Sequence, residues 1–210
     1  MADGGVADGR STVQRAEREG RLPSMAEPAK RAATYDDLLR VPEHLVAQIL
    51  DGELVTQPRP GAAHARATSR LGVEVGGPFD RGKGGPGGWI ILFEPELHLR
   101  GHVLVPDVAG WRRERMPELP NAAAFELAPD WVCEVLSPSS YAIDRVKKLD
   151  IYAREGVRWA WLVDPEAQTL EVFRLESGLW VRANSWAGEA SVHAEPFDAV
   201  AIELGSLWEK

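Results

Sequence analysis

The chain has 210 residues, a single cysteine and a formal net charge of −8 at pH 7. That length suits one domain with a sizeable core plus a tail, and the lone Cys133 excludes an internal disulfide and a cysteine-based zinc cluster. The charge excludes a surface that attracts nucleic acid over its whole extent, but not a nuclease, whose ion site must itself be acidic.

No apolar run approaches the ~18 residues needed to cross a bilayer, and the N-terminus lacks a signal-peptide core. A cytoplasmic protein without a membrane partner is therefore expected. Residues 1–33 hold 6 Lys+Arg and 5 Asp+Glu and no apolar period, leaving 18 against 27 in the remainder. They read as a disordered or loosely helical extension. Met25 is a plausible alternative start, and residues 34–210 read as one domain.

Thr34 suits the N-cap of a short helix that Pro42 stops. Two β-type runs, 45–50 and 53–56, flank Asp51-Gly52, a dipeptide that favours a tight hairpin turn. Ala63, Ala67, Leu71 and Val75 then fall four apart, which predicts a helix from Ala62 to about Val75. The glycine-rich, basic run 81–88 has no strand before it and no helix after it, so it reads as a mobile loop and not a phosphate cradle. Further strands are expected over 89–93, 96–99 and 103–111, and an apolar central strand over 131–136. A helix over 141–155 ends at Gly156. A strand at 157–163, an antiparallel pair at 169–175 and 179–186, and a closing strand at 199–204 complete a mixed α/β pattern.

Two carboxylates stand out within apolar strands: Glu134 in Trp131-Val132-Cys133-Glu134-Val135-Leu136, and Asp107 after Val105-Pro106. A buried carboxylate is costly unless a cation or hydrogen-bond donors meet it. On neighbouring strands, Asp107 and Glu134 would give oxygen ligands to Mg²⁺ or Mn²⁺, with the Val135 carbonyl as a third. Leu136 shares the face of Glu134, so the accompanying cation must come from elsewhere. Lys148 is the first choice, on a helical stripe with Asp144 and Tyr152; Lys147 points about 100° away around the helix. Plainer roles stay open: backbone acceptor for Asp107, an ion pair with Arg145 or Lys148 for Glu134, and a pair with Asp144 for Lys148. Arg112, Arg113 and Arg115, beside Trp111, are candidates for nucleic-acid contact, with a solvated basic loop as the alternative.

The ordered set Asp51-Gly52-Glu53-Leu54-Val55, Pro106-Asp107-Val108, Glu134 to Ser139, Asp144 with Lys148-Leu149 and Tyr152, Gly156-Val157 and Trp161 to Pro165 resembles the Uma-two family. That family is a branch of the PD-(D/E)xK restriction-endonuclease-like superfamily, and the resemblance spans about residues 34–208. It implies a mixed α+β fold: a central mixed β-sheet flanked by helices, an N-terminal β-hairpin and additional antiparallel strands at the C-terminus. It also implies metal-dependent DNA cleavage at Asp107 and Glu134, with the superfamily lysine, here Leu136, moved to Lys148. Gln48 stands where the family often has a glutamate, and His64 matches a family histidine; both are accessory candidates, as is Asp144. The family and the apolar C-terminal strands point to a homodimer. The alternatives are a non-catalytic nucleic-acid-binding or scaffold protein that retains the fold, and a hydrolase of smaller phosphate esters.

Overall fold

The computed structural model describes Met1 and residues 31–209. The expectations for the extension at 1–33 and the start at Met25 lie almost wholly outside these residues. Helix α1 (Tyr35–Leu39) opens on a capping box, in which Thr34 Oγ1 accepts from the Asp37 N–H and Asp37 accepts from the Thr34 N–H. Strands β1 (Leu45–Leu50) and β2 (Glu53–Pro58) meet at Asp51 (φ 50°) and Gly52 (φ 76°), the positive pair that the turn requires. Helix α2 (Ala62–Val75) buries His64, Ala67, Leu71 and Val75 along one face, and a wide π-helical turn, Gly76–Asp80, follows it.

The glycine-rich run is pinned rather than loose. The N–H groups of Lys83 and Gly87 donate to the carbonyls of Gly77 and Pro78, both at 2.9 Å. Gly85 lies so close to Pro78 that a Cβ there would come within 2.5 Å of the proline Cβ. Gly85→Ala is therefore expected to lower stability by about 1–3 kcal/mol, read from denaturant midpoints. An unchanged midpoint would mean that the loop yields freely.

Strand β3 (Trp89–Phe93) precedes β4 (Leu97–Leu99), β5 (His102–Leu104) and β6 (Val108–Arg112). The expected single strand over 103–111 is thus two. Pro106 offers no N–H to a ladder, so pairing lapses at Val105-Pro106-Asp107 and the chain changes sheets there. Strand β7 (Trp131–Val135) leads through a π-helical segment, Ile143–Lys148, into α3 (Leu149–Arg154). Gly156 (φ 75°) ends that helix: its N–H donates to the Ala153 carbonyl, and the Val157 N–H to that of Tyr152. Strands β8 (Trp159–Asp164), β9 (Thr169–Glu176) and β10 (Leu179–Ala187) follow. A short pair, β11 (Ser191–Val192) with β12 (Ile202–Glu203), and α4 (Gly205–Trp208) close the chain. The closing strand is shorter than expected, since only two of its residues find a partner.

One sheet has the order β2-β1-β5-β4 and a larger one β10-β9-β8-β7-β6-β3, in which only β7 and β8 run parallel. The crossover that joins those two carries α3, as parallel neighbours require. Each face of the large sheet is covered. On one, Trp131, Cys133, Val135 and Trp161 meet α2 and Phe197; on the other, Val132, Leu136 and Leu162 meet Ile151 and Tyr152 of α3. Alternation along β7 assigns Glu134 to the α3 face. No helix among the described residues is long and apolar enough to cross a membrane.

Candidate active site

Residues Val108, Ala109 and Gly110 of β6 pair with Cys133, Val132 and Trp131 of β7. One step beyond this register, Asp107 stands opposite Glu134. The side chains of directly opposed residues share a face, with Cβ atoms about 4.5–5.5 Å apart. Both acids line one cleft of about 230 Å³, walled by the β1–β2 hairpin on one side and by residues 137–148 on the other.

Asp107 Oδ2 accepts the Val135 N–H at 2.7 Å, and its Oδ1 lies 3.1 Å from His64 Nε2. His64 comes from the first turn of α2, and its Nδ1 lies 3.4 Å from Thr68 Oγ1. The next N–H along β7, that of Leu136, donates to Val163 of β8. Successive strand residues alternate sides, so the carbonyl of Val135, like its N–H, faces the side of Asp107.

Glu134 is buried, and both its oxygens are engaged. Lys148 Nζ donates to Oε2 and the Tyr152 hydroxyl to Oε1, each at 2.6 Å. Lys148 Nζ also meets the Val105 carbonyl at 3.2 Å and Asp144 at 3.3 Å, so its three protons have three acceptors. Burial pushes the Glu134 carboxyl up to about 8; Lys148 pulls against this, while Asp144 and Asp107 add to it. For Lys148, burial works against the ammonium, but Glu134, Asp144 and Asp107 outweigh it and hold the group above its ordinary value. Burial, then the neighbouring Glu134, keeps the Tyr152 phenol protonated far above its usual range. Arg145, the other expected partner of Glu134, pairs instead with Glu171.

Gln48 also lines the cleft. Its Oε1 accepts the Val105 N–H at 2.9 Å, and its Nε2 approaches Gln57 Oε1 at 3.5 Å. Gln57 in turn donates to the Ser139 carbonyl at 3.2 Å, bridging the two walls. Asp107, Glu134, Lys148, Asp144, His64 and Gln48 are thus brought to one cleft. Arg112, Arg113 and Arg115 are not. They leave the far end of β6, where Arg112 lies over the Trp89 ring, Arg113 pairs with Asp80 and Arg115 with Asp130. Two contributors escaped the sequence reading: Tyr152 as a partner of Glu134, hinted at by its place on the Lys148 stripe, and Arg59 at the cleft, for which no local signal exists.

The architecture is thus a mixed α+β fold, a large mixed sheet flanked by helices, with two opposed acids where the chain changes sheets. The chain belongs to the Uma2 family, described as "putative restriction endonuclease", whose model matches residues 32–204. A solved structure from Anabaena variabilis ATCC 29413, described as a putative nuclease belonging to DUF820, shares the fold. It superposes with a TM-score of 0.67 at 23% identity, covering 84% of this chain and 97% of that one. No curated protein matches the chain.

Proposed function

We propose that the protein is a divalent-metal-dependent nuclease hydrolysing the phosphodiester bonds of DNA, with Asp107 and Glu134 as ligands. The observation that carries this reading is the pairing of those acids across β6 and β7, one facing a cation and the other facing the Val135 backbone. The donor set suits a hard cation such as Mg²⁺ or Mn²⁺: two carboxylates and the Val135 carbonyl are all oxygen donors. Among the described residues no group of three or more His, Cys, Asp and Glu is placed to hold a metal ion, so the ion here would rest on the two carboxylates, the Val135 carbonyl and water. Three of the four carboxylate oxygens hold one hydrogen bond and the fourth, Asp107 Oδ1, faces His64, so each has a lone pair left to offer. When bound, the ion would neutralise charge on the phosphate and acidify a water nucleophile.

The chain's own residues supply the rest. Lys148 and Tyr152 hold Glu134 in one orientation, and the ammonium brings positive charge to the floor of the cleft. His64 and the Val135 N–H hold Asp107 from opposite sides. A homodimer in the cytoplasm belongs to the same reading. Purified protein is expected to cut plasmid or oligonucleotide DNA with Mg²⁺ or Mn²⁺, and Asp107→Ala to abolish the cleavage. Equal cleavage by that variant would trace the activity to a contaminant and end the assignment.

One observation favours a second reading, a non-catalytic nucleic-acid-binding or scaffold protein. Gln48 gives its Oε1 to the Val105 N–H and brings no negative charge. Calorimetry separates the two: Mn²⁺ binding that disappears in Glu134→Ala counts against the scaffold.

A further inference from the structure

The cleft also bears on what kind of DNA reaches the acids. Its floor is deep: the Glu134 side chain is 1% exposed and that of Lys148 3%, whereas Asp107 retains 15%. One wall, the β1–β2 hairpin, is fastened to the segment that carries Lys148. Gln57 donates to the Ser139 carbonyl at 3.2 Å, Lys147 pairs with Glu53 at 3.0 Å, and Arg154 pairs with Asp51 at 2.8 Å. A duplex carries its phosphates on a stiff surface, so a flexible strand can lower a phosphate to a floor this recessed more readily than a duplex can.

Charge points the same way. The lining holds Glu94, Asp107, Glu134 and Asp144 against only Arg59 and Lys148. Duplex binding rests on neutralising many phosphates with Lys and Arg, yet the arginines beyond β6 are at the far end of that strand and already engaged. Arg59 differs from them. It is exposed at the cleft, its Nε and Nη2 donate to the Glu43 carbonyl at 3.3 and 2.9 Å, and no carboxylate among the described residues neutralises it.

Building on the nuclease reading above, we propose that the substrate is DNA with an unpaired segment, such as a single strand, a flap or a frayed end. Its flexible backbone lowers one phosphate to the acids while Arg59 grips a neighbouring phosphate at the rim. An arginine fork suits that task, since it meets phosphate with parallel N–H donors. With one or two phosphates neutralised, the affinity should fall only gently with salt, at a log–log slope of roughly −0.7 per phosphate.

The test uses one labelled sequence as a single strand, a blunt duplex and a duplex with a single-stranded flap. Wild type, Asp107→Ala and Arg59→Ala are assayed for cleavage with Mn²⁺ and for binding by anisotropy with Ca²⁺. Asp107-dependent cleavage of single strand and flap should exceed that of the duplex by at least about tenfold, and Arg59→Ala should weaken single-strand binding by about tenfold, the loss of one good contact. Blunt duplex cut as fast as single strand overturns the proposal and leaves the nuclease reading standing. Unchanged binding by Arg59→Ala overturns the role of Arg59. No Asp107-dependent cleavage of any DNA overturns the nuclease reading and this proposal with it.

Discussion

Lys148→Met is expected to lower the stability of the metal-free protein by about 3–5 kcal/mol at pH 7.5, the usual cost of removing one partner from a buried ion pair. Among the described residues the lysine is the one cation that touches both Glu134 and Asp144, and it also satisfies the Val105 carbonyl. Methionine fills similar volume but leaves two buried carboxyls facing each other with no counter-charge. The loss should be larger at pH 9, and the sign follows from Glu134. Its carboxyl lies near 8 in the fold against an ordinary 4.5, so its protonated form favours the folded state below 4.5 and that stability is lost as pH rises towards 8. Without Lys148 the charged form is less tolerable still, so the difference between variant and wild type widens as pH rises. Denaturant titrations at both pH values measure it. A variant as stable as wild type at pH 7.5 would mean that Lys148 does not compensate the buried acids, and its assigned place in the cleft would be lost.

How much of this was legible follows from the range over which each signal acts. Glu134 was legible because strand alternation makes one charged residue in an apolar run conspicuous, and its face then excluded Leu136 as a source of cation. The Lys148 stripe was legible because contacts at i and i+4 are local; the ion pair with Asp144 keeps that spacing even though residues 143–148 wind as a π-helix. The division of 103–111 had its clue in Pro106, but a continuous apolar run outweighs one proline when no partner strand is known. The arginines near Trp111 follow Asp107 in sequence yet not in space, because five strand residues carry the chain about 16 Å away. The hairpin wall was out of reach. Gln57 meets Ser139 across 82 positions, and Arg59 meets Glu43 only because the hairpin folds back on itself. The motifs thus foretell which residues converge, while the depth of the cleft that surrounds them depends on packing between distant segments.

That depth governs the second large effect, the pH dependence of ion binding. A ligating carboxylate must be ionised, so an ion that takes Glu134 must displace its proton wherever the pH lies below its value of about 8. The Mn²⁺ affinity of the wild type should accordingly weaken by about tenfold for each pH unit from 8 down to 6, one proton being displaced per ion. Calorimetry in buffers of different ionisation enthalpy would detect that proton directly. Glu134→Gln removes the titrating group, so its residual affinity should be low and lack this slope. Asp107→Asn should also bind weakly but keep the slope, because burial, which it does not change, is the main cause of the raised Glu134 value. The two variants thereby separate the acid that carries the proton from the acid that merely shares the ion. An affinity in the wild type that stays level between pH 6 and 8 would show that no proton is displaced from Glu134, and an unchanged affinity in Glu134→Gln would then exclude it as a ligand, leaving it as the structural partner of Lys148 and Tyr152.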